Sequence, residues 1–185
     1  MIFGPPRIIG GQWKGRKLAA PDGLATRPTG ARARQAVFDI LLHAPWAGAE
    51  FLQSARVLDV FAGTGAYGLE ALSRGAAFAS FIENDRAALA AIRANIAACR
   101  VEERARVFAA DALRPPADTP HDLVFLDPPY GQDFVPKGLA ALAGWVAPGA
   151  IIVAELGPGE TFSPPAILAE RTHGKARLLF WRKEA

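Results

Sequence analysis

The feature that most constrains the fold is a glycine-rich segment between a predicted strand and a predicted helix. Gly63, Gly65 and Gly68 form the pattern G-x-G-x-x-G, after an apolar run at 57–61 and before a helical pattern that starts at Ala66. Glycines in this setting allow a tight turn and let a ligand approach the backbone at the helix N-terminus. The segment therefore predicts an α/β fold that binds a nucleoside-bearing cofactor.

Strand and helix patterns alternate along the rest of the chain. Five strands are predicted, over 57–61, 78–82, 106–109, 122–126 and 150–155. Four helices are predicted, over 31–42, 66–74, 86–100 and 134–146. Two extended segments follow without a helix between them, at 167–171 and 176–181. This order predicts a Rossmann-like α/β fold with a seven-stranded, mostly parallel sheet and an antiparallel edge hairpin.

Positive charge is concentrated near the N-terminus. Residues 1–34 contain seven Lys or Arg against one acid, a net charge of +6, so the other 151 residues carry −3 of the chain's +3. Such a basic segment is typical of surfaces that bind nucleic-acid phosphates, although a solvated tail would give the same count. We predict a basic extension over 1–28, with a short β-hairpin, ahead of a main domain over 29–185. The predicted nucleic-acid contacts are Arg7, Lys14, Arg16, Lys17, Arg27, Thr29, Arg32 and Arg34.

The composition argues against several other kinds of protein. Cys99 is the single cysteine, which excludes an intramolecular disulfide and fits a reducing compartment. The three histidines lack the spacing of a metal-binding pair, so we predict no metal. No apolar run reaches the roughly 18 residues of a membrane span, and the start does not resemble a signal peptide. We expect a soluble, cytoplasmic, monomeric protein without membrane contact.

Acidic residues at successive strand ends narrow the choice of cofactor. Glu83 lies 20 residues after Gly63, where a carboxylate can accept hydrogen bonds from ribose hydroxyls of either a nicotinamide dinucleotide or S-adenosyl-L-methionine. Asp59 would repel a pyrophosphate, whereas it can pair with a methionine ammonium directly or through water. Asp111 can accept from the adenine amine, although a helix-capping role explains it equally well. These acids favour S-adenosyl-L-methionine. The predicted cofactor-binding residues are Asp59, Phe61, Ala62, Gly63, Thr64, Gly65, Glu83, Asn84, Asp111 and Ala112.

The fourth predicted strand ends in Asp127-Pro128-Pro129-Tyr130, at the edge where open α/β sheets place their chemistry. The two prolines fix the backbone and donate no N–H, so the loop presents hydrogen-bond acceptors in a rigid frame. The Asp127 carboxylate and Pro128 carbonyl can bind both hydrogens of an exocyclic amine, and Tyr130 can stack on its ring. We predict that the catalytic residues for methyl transfer to such an amine are Asp127, Pro128, Pro129 and Tyr130.

Together these motifs resemble the bacterial 16S rRNA (guanine(966)-N(2))-methyltransferases over nearly the whole chain. The most specific segments are 7–18, 27–29, 59–75 and 127–130. The resemblance implies a class I methyltransferase fold, S-adenosyl-L-methionine at the acids and glycines above, and a guanine amine at 127–130. It also implies that the partner is 16S rRNA in the small ribosomal subunit or an assembly intermediate. Tyr67 departs from the family's pattern, which has a small aliphatic residue there.

Three other functions agree with parts of the sequence. The first is the same chemistry on a different amine, adenine N6 in nucleic acid or a glutamine amide, which the motif at 127–130 does not separate from guanine. The second is an NAD-dependent oxidoreductase, which Asp59 and the proline loop disfavour. The third is RNA binding without catalysis. The N-terminal segment favours ribosomal RNA as the substrate.

Overall fold

A seven-stranded mixed sheet forms the centre of the computed structural model, which describes residues 5–21, 28–174 and 176–184. Its strands are β1 (Arg56–Val60), β2 (Phe78–Glu83), β3 (Ala105–Ala109), β4 (His121–Leu126), β5 (Val146–Leu156), β6 (Ile167–His173) and β7 (Ala176–Arg182). Their order across the sheet is β3-β2-β1-β4-β5-β7-β6, and β7 runs antiparallel to both of its neighbours. The predicted seven-stranded α/β fold is confirmed.

Five α-helices cover this sheet. They are α1 (Pro28–His43), α2 (Ala49–Ser54), α3 (Ala66–Ser73), α4 (Arg86–Cys99) and α5 (Phe134–Ala141). In α4 the Asp85 carboxylate caps the first turn by accepting from the Ala88 N–H at 2.8 Å. The described ranges contain no helix with the length and apolar character needed to cross a membrane.

Successive residues of the central strands point to opposite faces and fill two separate cores. Phe125 of β4 packs in the core that contains Phe38 of α1, whereas Leu126 packs in the core that contains Val135 of α5. The next residue, Asp127, therefore projects to the side of the sheet that α1 and α3 cover. This alternation decides which helices surround the predicted catalytic residue.

Two elements differ from the prediction. α5 ends at Ala141 rather than Val146, because Val146 pairs with His121 and starts β5 four residues before the predicted Ala150. Tertiary pairing here outweighs the local helical pattern. The short helix α2 was not predicted. Only Leu52 of its six residues is buried, so its apolar residues do not show a helical period.

The N-terminal segment packs on the main domain. Its predicted hairpin is reduced to one antiparallel bridge between Arg7 and Lys17. Ile8, Trp13 and Leu18 are nevertheless buried in the core shared with α1 and α3. Residues 5–21 and the central sheet thus share one hydrophobic core, which fixes the positions of the basic residues in this segment.

Candidate active site

The glycine loop joins β1 to α3 with a tight turn. Gly65 has a φ of 75° and precedes the first turn of α3, in a left-handed conformation that glycine adopts without strain. A Cβ on Gly68 would lie 2.4 Å from the Phe81 ring, so this glycine lets α3 pack directly on β2. A Cβ on Gly63, in contrast, would meet no atom within 4 Å. The loop therefore has open space in which a ligand can approach the backbone.

Glu83 connects the glycine loop to the end of β2. Its Oε2 accepts from the Gly63 N–H, and its Oε1 accepts from the Asn84 and Asp85 N–H groups, each at 2.8 Å. These three bonds leave one of the roughly four acceptor positions of the carboxylate, on Oε2, which can accept from a ribose hydroxyl. The residues of this loop therefore fit the adenosyl part of S-adenosyl-L-methionine.

The other predicted cofactor residues surround the same edge of the sheet. Asn84 is exposed after β2, and Ala112 is buried after β3. Asp111 is exposed and accepts from the Leu113 N–H at 2.9 Å within a turn, so it is a loop acid rather than a helix cap, and its second oxygen is available. Phe61 lies with its ring centroid 5.4 Å from that of Phe134. The three strand ends are thus adjacent, as a nucleoside site requires.

Asp59 is buried beneath the glycine loop. It is 2% exposed, and its Oδ2 accepts from the Gly68 N–H at 2.8 Å. Burial raises its pKa from 3.8 to about 8, and the Gly68 N–H partly opposes that rise. Asp127 and Glu83 add repulsion that also raises the pKa. Asp59 therefore holds the start of α3 against β1, and a nearby cation would favour its ionised form.

We expect the variant Asp59→Asn to be more stable than the wild type in alkaline solution without cofactor. Because the folded-state pKa is raised from 3.8 to about 8, the protonated wild-type residue contributes fully to stability below pH 3.8, and this contribution is lost progressively as pH rises from there through about 8. Asparagine stays neutral and keeps an acceptor for Gly68. At pH 9 its Tm should be higher by at least about 2–4 °C, the shift for about 1 kcal/mol in a domain of this size. A Tm difference that is the same at pH 5 and pH 9 would contradict this assignment.

The predicted catalytic residues form the loop that leaves β4. Pro128 is buried, whereas Asp127, Pro129 and Tyr130 have exposed surface. The Tyr130 hydroxyl donates to the carboxylate of Glu155 at the end of β5. The structure thus places all four predicted residues on one rigid loop beside the next strand.

Glu160 ties this loop to the loop that follows β5. Its Oε1 accepts from the Gly131 N–H at 3.0 Å, and its Oε2 accepts from the Gly157 N–H at 2.6 Å. Gly131 directly follows Tyr130 in the sequence. One carboxylate therefore sets the relative position of the two loops that border the cleft.

Asp127 stands next to a second carboxylate. Asp127 and Glu155 each come one residue after the paired Leu126 and Ala154 of the parallel strands β4 and β5. Burial and then the charge of Glu155 raise the pKa of Asp127, while Arg34 lowers it. The residue also has exposed surface, and water there partly screens both effects. The site therefore presents two adjacent acceptors that repel each other until a hydrogen-bond donor or a cation binds.

Aromatic side chains form the floor of the cleft beside these acids. The Tyr67 ring stacks on Phe125 with centroids 4.9 Å apart and 28° between the planes. Burial and the charge of Asp127 raise the pKa of the Tyr67 hydroxyl, so this side chain stays neutral. Tyr67 lines the same small cleft as Asp127 and Glu155. A planar, neutral surface next to two carboxylates suits a heteroaromatic ring that carries N–H groups.

Comparison with known proteins identifies the family. The family described as conserved hypothetical protein 95 matches residues 6–182. Ribosomal RNA small subunit methyltransferase D from Escherichia coli is 43% identical over 156 residues, covering 82% of this chain and 75% of that protein. The protein of the same name from Haemophilus influenzae is 33% identical over 181 residues, covering 92% and 90%. The chain belongs to the ribosomal RNA small subunit methyltransferase D family.

Solved structures agree with this family. A candidate methyltransferase from Escherichia coli superposes with a TM-score of 0.83 at 37% identity, covering 98% of this chain and 99% of that one. The 16S rRNA N2 G1207 methyltransferase of Thermus thermophilus, solved with AdoMet and guanosine, has a TM-score of 0.73 at 20% identity, covering 97% and 49%. The chain therefore has the class I methyltransferase fold, and this family member is a methyltransferase.

The structure separates the basic residues that were predicted to contact nucleic acid. Five of them are exposed, namely Arg7, Lys14, Arg16, Lys17 and Arg32. Arg34 is only 3% exposed and donates to the Arg7 carbonyl at 2.7 Å. A buried side chain cannot contact nucleic acid, so this prediction for Arg34 is wrong. Arg34 instead binds the backbone of the N-terminal segment inside the protein. Arg27 and the side chain of Thr29 lie outside the described residues.

Two acids of this site, and a third acid that holds the N-terminal segment, were not predicted from the sequence. Glu155 ends an apolar strand, so the reasoning that selected Glu83 would have found it. Glu160 lies in a loop without periodicity and gives no local signal. Glu70 precedes Arg74 by one helical turn, which suggests a surface ion pair rather than the buried carboxylate that the structure shows. Across the described ranges, no three His, Cys, Asp or Glu side chains group in a way that would hold a metal ion.

Proposed function

We propose that this protein transfers a methyl group from S-adenosyl-L-methionine to the exocyclic N2 of a guanine in 16S rRNA, guanine 966 by the resemblance of its motifs. The observation that carries the proposal is the loop after β4, where Asp127 and Pro128 supply acceptors beside the glycine loop and Tyr130 is 41% exposed. The relatives in two bacteria that are named ribosomal RNA small subunit methyltransferase D support the choice of small-subunit rRNA.

The chain's own groups position and activate the amine. When bound, S-adenosyl-L-methionine supplies an electrophilic methyl group on a positively charged sulfur. The Asp127 carboxylate and Pro128 carbonyl accept the two hydrogens of the amine, which directs its lone pair toward that methyl group. As the amine nitrogen gains positive charge, Asp127 stabilises the charge and accepts the proton that leaves. Tyr130 stacks on the base and limits its rotation, which contributes through orientation.

The narrow cleft beside Asp127 requires an accessible nucleotide. Asp127 lies at the edge of the sheet, and the cleft beside it is narrow and bordered by two loops. A base inside a duplex could not present its amine there without being unpaired or flipped, at a cost of a few kcal/mol. We therefore propose that the target guanine is extruded or unpaired in the small subunit or in its assembly intermediate.

A labelled methyl-transfer assay tests the proposal. The purified protein is incubated with labelled S-adenosyl-L-methionine and either naked 16S rRNA or 30S particles, and the RNA is then digested to nucleosides. We expect the label in N2-methylguanosine. Label found only in N6-methyladenosine, or only in glutamine of a ribosomal protein, would overturn the substrate while leaving the family unchanged.

The exposed lysines of the N-terminal segment should contribute to RNA affinity through charge. We expect the double variant Lys14→Ala and Lys17→Ala to bind rRNA more weakly and to lower the slope of log K against log salt by roughly 1.4–1.8, since each phosphate contact contributes about 0.7–0.9. The matched control is Arg171→Ala, an exposed cation on the edge strand β6. Equal slopes for the double variant and the wild type would remove the segment from the RNA-binding surface.

We also propose that the protein acts as a cytoplasmic monomer. Among the described residues, Tyr130 and Ile167 are the large apolar side chains that are exposed. Extensive apolar patches mark stable oligomer interfaces, and two single side chains do not form one. Sedimentation at micromolar concentration tests this, and a dimer mass would contradict it.

A further inference from the structure

The carboxylate of Glu155 has no role in holding the two hydrogens of the target amine, yet it faces the same cleft. It lies at the end of β5, beside Asp127 at the end of β4, and both acids line the cleft with Tyr67. Adjacent strands of a sheet are about 4.8 Å apart. The backbone positions that carry the two carboxylates are therefore close enough for both side chains to reach one edge of the same base.

The edges of guanine and adenine differ at the atom next to the amine. Guanine carries an N1–H donor beside its N2 amine, whereas adenine carries an N1 lone pair beside its N6 amine. A carboxylate next to Asp127 would accept from guanine N1–H and would repel the adenine N1 lone pair. We infer that Glu155 selects guanine by accepting the N1–H of the target base. The inference rests on the proposed function, because it explains how that same site recognises its base.

The position of Glu155 is well defined in the structure. It accepts from the Tyr130 hydroxyl, and the Tyr130 ring lies so close to Gly157 that a Cβ there would be 2.5 Å from the ring. The stacking ring and the selecting carboxylate are thus held as one unit against the loop after β5. A hydroxyl fills only part of the acceptor capacity of a carboxylate, so Glu155 can still accept from a base.

The test compares two bases at position 966 of the 16S rRNA, the target position proposed above. Small-subunit particles are assembled with either guanosine or 2-aminopurine riboside there, because 2-aminopurine keeps the 2-amino group but has a lone pair at N1. For the wild type we expect kcat/KM to favour guanine by roughly tenfold to hundredfold, the range for a hydrogen bond to a charged group. In the variant Glu155→Gln this ratio should fall at least tenfold, with most of the loss on guanine.

Two further variants separate the possible roles. The variant Tyr130→Phe keeps the stacking ring and the Glu155 carboxylate, and it should lower both rates while changing the ratio of the two bases less than Glu155→Gln does. The variant Glu155→Asp keeps the charge and should retain part of the preference even if Glu155→Gln folds poorly. An identical base ratio in the wild type and both Glu155 variants would show that Glu155 only holds Tyr130, and would overturn the inference alone. A wild type that methylates no guanine would overturn the proposed function together with it.

Discussion

The variant Asp127→Ala should lower kcat for methyl transfer about 10²- to 10³-fold, the range seen when one preorganised electrostatic group is removed from an active site. The carboxylate accepts one hydrogen of the amine and stabilises the charge that the nitrogen gains, so both effects are lost together. Cofactor binding should persist, since Glu83 and the glycine loop are separate from this side chain. Single-turnover transfer and cofactor titration on the same preparation measure the two effects.

The pH dependence gives a second readout of the same residue. Burial and Glu155 raise the pKa of Asp127, and Arg34 opposes them; Tyr67 and Asp59 face the same region. Because the reaction needs the carboxylate, kcat/KM for the wild type should fall as pH drops through this raised pKa. The variant Asp127→Asn keeps an acceptor oxygen but cannot take up the proton. It should lose less activity than Asp127→Ala and should lack the acidic limb, and an unchanged limb would assign that pKa to another group.

Much of the cofactor-binding edge of the sheet could be predicted, because it depends on the order in which strands, turns and helices follow one another along the chain. A strand, a glycine turn and a helix follow one another at 57–74, and parallel strands bring their carboxyl ends to one edge. That rule correctly placed Glu83 and Asp127 near the glycine loop. It did not reveal that Asp59 would be buried, since burial depends on how α3 packs over β1 rather than on the spacing of the residues.

The interior charges could not be predicted, because they depend on contacts distant in sequence. Arg34 and Lys14 both contribute one positive charge to the count over residues 1–34. Only the packing of α1 shows that Arg34 is buried and Lys14 is exposed. Glu70 binds the backbone of Ile9 and Gly10 about sixty residues away. The basic N-terminal segment could therefore be identified from composition, whereas Glu70, the acid that attaches it to the catalytic domain, could not.

Glu70 supports the second large prediction, which concerns stability. It is fully buried, and its carboxylate accepts from the Ile9 and Gly10 N–H groups at 2.7 Å and from Arg74 Nε at 2.8 Å. Arg34 Nε lies 3.7 Å from the same carboxylate. We expect the variant Glu70→Ala to lower the free energy of unfolding by about 3–5 kcal/mol, because it leaves the buried Arg34 and the partly buried Arg74 without their counter-charge. Urea unfolding monitored by circular dichroism measures this loss.

The controls distinguish the buried charge from a general effect of mutation. Glu103→Ala removes an exposed acid and should change stability by no more than about 0.5 kcal/mol. The variant Glu70→Gln keeps the shape of the side chain and one acceptor oxygen. Its loss of unfolding free energy should lie between the losses of Glu70→Ala and Glu103→Ala. Since Glu70 anchors the backbone of 9–10, hydrogen exchange across 5–21 should rise in Glu70→Ala more than in the sheet, and RNA affinity should fall although no exposed cation is altered. Equal stability of the Glu70→Ala and Glu103→Ala variants would mean that the N-terminal segment is held by Ile8, Trp13 and Leu18 alone.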